Sequence, residues 1–199
     1  MTKQLIISIG REFGSGGHEI AEMLAERFGL NLYDSNLLEE VANEKKVDAS
    51  NLEKYDEVPR NLIFSRKIGD YSNSMEENIA NMQFDFLRLK ASKGESFVVV
   101  GRCAETMLRP YSALVSIFVI GDHEHKVERV MKLYNLSHTE AESFIVKQDK
   151  KRKSYHNYYC EGKWGDSRNY DLCINSSKLG EKETAEMLAD YIIKRQQLL

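Results

Sequence analysis

A cluster of glycines set directly behind a buried strand constrains this chain more than any other feature. Leu5-Ile6-Ile7-Ser8-Ile9 is apolar and rich in β-branched residues, as a central parallel strand requires, and Gly10-Arg11-Glu12-Phe13-Gly14-Ser15-Gly16-Gly17 follows at once. Behind it, Ile20, Met23, Leu24 and Phe28 recur at helical spacing, Glu22 and Glu26 take the opposite face, and Gly29 supplies a stop. A glycine-rich turn from strand to helix points backbone N–H groups and the positive end of a helix dipole at one place, which suits an anion. The alternative is a tight turn that holds no ligand.

The rest of the chain repeats the alternation. Leu30 to Tyr33 reads as a short strand ending at Asp34, and Leu37, Leu38 and Val41 begin another helical face. Residues 47–93 are less regular: a polar stretch around 69–74 precedes a helical pattern through Ile79, Met82, Phe86 and Leu89, and the segment reads as a helical insertion. Phe97 to Val100 and Ala113 to Ile120 are buried strands. Asp122 is placed to cap the helix carrying Val127, Val130, Met131 and Tyr134, and Ser137-His138-Thr139-Glu140 has capping-box spacing. Leu172 to Ile174 is a last strand before a helical face of Ala185, Leu188, Ala189 and Ile192. About five strands alternating with helices imply an α/β chain with a parallel sheet between helical layers. The expectation is one domain over residues 1–199, with a core of 1–46 and 94–199.

Charge and cysteine content narrow the function. With 28 basic and 31 acidic residues the net charge is −3, so no global field draws the molecule to nucleic acid or an anionic membrane. Any anion site must be local; the expected partner, a small-molecule nucleotide, rests on the glycine loop and not on the net charge. Cys103, Cys160 and Cys173 are odd in number, widely spaced and without a CxxC pair, which argues against a disulfide framework and a tetrahedral zinc site. His123 and His125 lack metal spacing on a helix, so no metal ligand is assigned. The N-terminal apolar run is too short for a signal or a membrane span, and the expected location is the cytoplasm.

The candidate phosphate-binding residues are Arg11, Gly14, Ser15, Gly16, Gly17 and His18. Set on the Walker A pattern G-x-x-x-x-G-K-[ST] with its second glycine at Gly16, Arg11 falls at the first glycine, Gly17 at the lysine and His18 at the hydroxyl. The lysine and the magnesium-binding hydroxyl are therefore missing. Arg11 is one substitute cation, or else a surface residue paired with Glu12 or Glu19. The basic run Lys147, Lys150, Lys151, Arg152 and Lys153 is another, or else a solvated helix face. Tyr155, Tyr158, Tyr159 and Trp164 either stack on a base or pack this stretch onto the core. Asp34 either orients a ligand or caps a helix.

The loop from Ile9 to Gly17, together with Leu32-Tyr33-Asp34, Gly101-Arg102-Cys103-Ala104, Asp149 to Arg152, Gly162-Lys163-Trp164-Gly165 and Tyr170 to Asn175, resembles the cytidylate-kinase-like branch of P-loop proteins. That resemblance implies a three-layer P-loop NTPase-like fold, with an acceptor-binding helical insertion at about 47–93 and a basic lid at about 147–168. It implies ATP on the glycine loop, with magnesium if the protein is catalytic, and phosphoryl transfer to a small acceptor such as a nucleoside monophosphate. By the same resemblance Arg102, Lys150, Lys151, Arg152 and Lys153 would be catalytic, and Asp34 and Arg102 would bind the acceptor. True cytidylate kinases usually carry Asp-Gly-Arg-Asp around that arginine, whereas Val100 and Cys103 replace both acids here. Two rivals stay open. One is a non-catalytic nucleotide or phosphate sensor on the same fold. The other is a dinucleotide-binding protein, for which Gly14, Gly16 and Asp34 form a partial fingerprint with Glu19 at the third glycine.

Overall fold

The computed structural model describes residues 3–45, 67–68, 71–72 and 74–198. The chain runs β1 (Ile6–Arg11), α1 (Gly17–Phe28), β2 (Asn31–Tyr33), α2 (Leu37–Lys45), the small antiparallel pair β3 (Lys67–Ile68) and β4 (Tyr71–Ser72), and α3 (Met75–Ser92). It continues through β5 (Phe97–Val100), α4 (Ala104–Met107), β6 (Leu114–Ile120), α5 (His123–Tyr134), α6 (His138–Tyr159), β7 (Leu172–Asn175) and α7 (Gly180–Leu198). Five strands form one parallel sheet in the order β2-β5-β1-β6-β7, with Ile7 of β1 beside both Val98 and Val115.

Strand alternation divides the core into two layers. Ile7 and Ile9 face α1 and α7, where Ile20, Leu24, Leu188 and Ile192 are buried. Ile6, Val99 and Leu114 belong to the opposite layer, with Leu37 and Val41 of α2, Phe86 and Leu87 of α3 and Leu108 beyond α4. Each such side chain contributes about 1.5–3 kcal/mol on full burial, so the two layers rather than helix propensity hold the sheet in place. A third cluster joins α5 to α6 through Val127, Val130, Ala141 and Ile145.

Local signals set several boundaries. Gly29 ends α1 in the left-handed region, its N–H returning to the carbonyls of Ala25 and Glu26. Ser137 and Glu140 form the reciprocal box that starts α6. Asp122 occupies the N-cap of α5 without capping it by its side chain; its carboxylate binds Asn175 and Lys178 instead. The expected insertion at 47–93 lies partly outside the described residues, and its described part comprises β3, β4 and α3.

Candidate functional site

β1 is central, and the chain builds outward from it to β5 and β2 on one side and to β6 and β7 on the other. The glycine loop leaves β1 at this change of direction, where open α/β sheets form a crevice beyond their strand ends. Gly14 (φ 81°) and Gly16 (φ 72°) lie in the left-handed region. Close approach also demands glycine: a Cβ on Gly16 would stand 2.5 Å from Glu181 Cγ, and one on Gly17 would stand 2.6 Å from Arg11 Cβ. Ser15 is buried and shapes the turn, donating its hydroxyl to the Glu12 carbonyl at 2.9 Å while its own carbonyl accepts from Ser176 at 2.6 Å. The first-turn amides of α1 then face outward with no intrahelical acceptors.

The loop opens on a cleft of about 350 Å³ whose walls include Arg11, His18, Asp34, Arg129, Tyr134 and Arg152. Asp34, at the end of β2, is the hub: His18 Nδ1 is 2.6 Å from its Oδ2, Arg11 Nη2 is 3.5 Å from its Oδ1, and Arg102 Nη2 donates to its backbone carbonyl at 3.2 Å. Burial works to raise the Asp34 carboxyl, but the His18 hydrogen bond and the Arg11 and Arg102 charges outweigh it and hold the group below its ordinary value. The same hydrogen bond lifts the His18 imidazole above its ordinary value against partial burial. Across the cleft, Arg129 of α5 is clasped by Glu19 of α1 and by Glu181 at the start of α7.

Helix α6 lies against the loop. Asp149 accepts the Phe13 N–H at 2.7 Å, Phe144 meets the Phe13 ring edge-on at 5.2 Å, and the Arg152 guanidinium sits over that ring at 5.2 Å. Arg152 Nη1 also reaches the Arg11 carbonyl at 3.4 Å. Burial lifts the Asp149 carboxyl above its ordinary value despite the Phe13 amide and Lys126. Of the basic run only Arg152 lines the cleft; Lys147, Lys150, Lys151 and Lys153 are exposed. Arg102 is buried in a left-handed turn (φ 56°) and, with Arg11 and Arg152, lines a smaller cavity beside the loop. The aromatic residues pack: Tyr155 and Tyr159 lie with Phe84, Cys103 and Cys160, and Trp164 meets Phe118 edge-on at 5.3 Å.

Sequence reasoning missed Arg129, Glu181 and the Lys126–Glu12 pair at 2.8 Å. Two carboxylates, Glu12 in the loop and Glu19 in the first turn of α1, are the available signal, since acids beside an anion site need cations of their own.

The profile of the cytidylate kinase-like family matches residues 6–178, from the first residue of β1 to the short helical turn behind β7. The chain belongs to the cytidylate kinase-like family. The crystal structure of an uncharacterized protein from Eubacterium ventriosum shares 40% identity over 95% of this chain and 98% of its own, with a TM-score of 0.76. Shikimate kinase from Bacteroides thetaiotaomicron (12% identity, 94% and 98% coverage, TM-score 0.54) and a gluconokinase from Sinorhizobium meliloti (12%, 98% and 95%, 0.53) share the fold. No curated protein matches the chain. The architecture of this cytidylate kinase-like protein is thus that of the P-loop kinases, and none of its described helices is long and apolar enough to cross a membrane.

Kinases of this fold generally use a nucleotide with magnesium. The glycine loop fits the nucleotide: Gly14, Gly16 and Gly17 line the cleft, two of them in the left-handed region and the third packed against Arg11, so that stretch of the wall is backbone. It does not fit the usual magnesium ligand, because His18 stands at the hydroxyl position and Glu12, Glu19, Asp34 and Glu181 are all engaged by cations.

Proposed function

We propose that this protein transfers a phosphoryl group from ATP to a small acceptor, with nucleoside monophosphates the first class to test. The observation that carries this reading is the convergence of Arg11, Arg129 and Arg152 on the cleft in front of the glycine loop. In this reading the loop amides hold the triphosphate and the three guanidiniums offset the charge a Walker A lysine would otherwise meet. Docking of α6 on Phe13 excludes water from the reacting phosphate. Asp34 and Arg102, joined at the end of β2, orient the acceptor.

A second reading, a nucleotide sensor without turnover, is favoured by one specific observation, the lack of a magnesium-binding hydroxyl at His18. Calorimetric titration with ATP, paired with an ATP-consumption assay over a panel of nucleoside monophosphates and small hydroxylated acids, separates the two. Binding with acceptor-dependent consumption is expected; binding with no consumption across the panel selects the sensor, and no binding at millimolar ATP ends both.

A further inference from the structure

The chain buries a second cluster of reactive side chains that phosphoryl transfer does not use. His156 and Cys160 stand one helical turn apart at the end of α6, while Cys103 and Glu105 flank the first residue of α4. All four are more than nine-tenths buried. His156 Nε2 lies 2.8 Å from Glu105 Oε1, Cys160 Sγ lies 4.0 Å from the same oxygen, and these three atoms fall within 4.8 Å of one another. The Cys103 side chain in turn interacts with the Cys160 sulfur.

We propose that Cys103, Glu105, His156 and Cys160 form a tetrahedral site for a zinc ion. An ion pair accounts for Glu105 and His156 alone, but it gives no reason for the Cys160 thiol to reach the same carboxylate with the Cys103 thiol beside it. The donor set of two sulfurs, one imidazole nitrogen and one carboxylate oxygen is the chemistry zinc selects. Tetrahedral zinc with such ligands places their donor atoms roughly 3.3–3.8 Å apart, and His156 Nε2 and Cys160 Sγ each reach that spacing from Glu105 Oε1 by a shift of about half an ångström. His156 Nδ1 faces Asn157 Oδ1 at 3.4 Å, the outer hydrogen bond that turns Nε2 toward a metal, and Thr106 donates to Glu105 Oε1 at 3.1 Å. An adjoining cavity of about 20 Å³, large enough for a single water-sized species, is walled by Cys103, Glu105 and His156.

Charge balances as well. Both thiols release their protons to solvent on binding, so two thiolates, a carboxylate and a divalent ion leave a net single negative charge. Arg11, Arg102 and Arg152 line the same cavity and offset it. The ion joins the turn that carries Arg102 to the end of α6, the helix that carries Arg152.

The test uses the full-length protein, fully reduced and stripped of metal, titrated with cobalt(II). The site predicts about one equivalent bound per chain with thiolate-to-cobalt charge-transfer absorption and intense tetrahedral visible bands, displaced by zinc. Cys160→Ser should abolish the charge-transfer band of its sulfur, His156→Gln should weaken cobalt binding at least about 10- to 100-fold, and Cys173→Ser should change neither. An independent measurement on the unmutated protein is alkylation mapped by mass spectrometry: zinc should slow modification of Cys103 and Cys160 about tenfold or more and leave the exposed Cys173 unaffected. A weak six-coordinate spectrum untouched by Cys160→Ser, or no zinc protection of the two buried thiols, overturns the proposal.

Discussion

Arg11 and Gly17 exchange the parts that the Walker A pattern gives to these positions. In the pattern a glycine at the first position leaves room for a lysine six residues on. Here the stem of Arg11 fills that room, since a Cβ on Gly17 would lie 2.6 Å from Arg11 Cβ and 3.4 Å from Val119 Cβ. On the proposed reading the cation stands on the strand and not on the helix, and residue 17 carries no side chain to collide with it. A charge-assisted hydrogen bond to phosphate contributes about 1.5–3 kcal/mol, so Arg11→Ala should weaken ATP binding about 10- to 100-fold. Gly17→Lys alone should abolish binding through overlap with Arg11. The double change Arg11→Gly with Gly17→Lys should recover part of it, giving a coupling of at least about 1 kcal/mol in the four-protein cycle. Calorimetry on the four proteins, with circular dichroism to confirm folding, reads the outcome; a double variant no better than Gly17→Lys means that the exchange is not functional.

Elements with local signatures were legible from the sequence, and their mutual facing was not. The strands of the sheet, the Gly29 stop and the Ser137 box follow from alternation, backbone freedom and capping chemistry within a few residues. Periodicity on α5 identified Val127 and Val130 as core, yet it carried no information on which polar residue would meet α1 and α7, so Arg129 escaped. The charges on α6 read as one block, although helical geometry sends Arg152 to the loop and four lysines to solvent. Likewise Asp122 has every local mark of a cap, but β7 brings Asn175 to it across the sheet. The tie between α1 and β2 is of the same tertiary kind and has a pH signature. The folded-state pKa of His18 is raised, so its contribution is complete below the ordinary value of 6.5 and disappears as pH rises through the raised one. That of Asp34 is lowered, so its contribution is in place above 3.8 and disappears as pH falls through the depressed value. The melting-temperature advantage of the unmutated protein over His18→Gln should therefore be greatest between about pH 4 and 6.5 and shrink toward pH 9. A difference that stays flat over this range would show that the pair does not link the two elements.

At the scale of the whole molecule, the glycine loop is fastened to most of the structure. Glu12 N–H binds Val119 of β6 at 3.0 Å, its carboxylate holds Lys126 of α5, Phe13 is held by Asp149 of α6, and the Ser15 carbonyl accepts from Ser176 ahead of α7. A ligand seated on this loop is consequently linked to unfolding of the entire domain and not to a local opening. The same connections separate a triphosphate from a dinucleotide. Binding of NAD by a partial glycine fingerprint needs an acid free to grip a ribose, whereas the Asp34 carboxylate is held by His18 and Arg11, and both ties would have to break. A triphosphate meets the outward-facing loop amides first, and it can share Arg11 and Arg129 with their carboxylate partners, because a guanidinium carries five N–H donors and neither tie has to break. At a concentration 100 times its Kd, a ligand of the native state adds about 2.7 kcal/mol, which in a domain of this size raises the melting temperature by about 5–10 °C. ATP at saturating concentration should produce a shift of that order in a calorimetric or fluorescence melt, and NAD at the same concentration should produce almost none. Equal shifts from the two would restore the dinucleotide reading, and the absence of any shift with ATP would leave the loop as a turn that shapes the sheet edge and binds nothing.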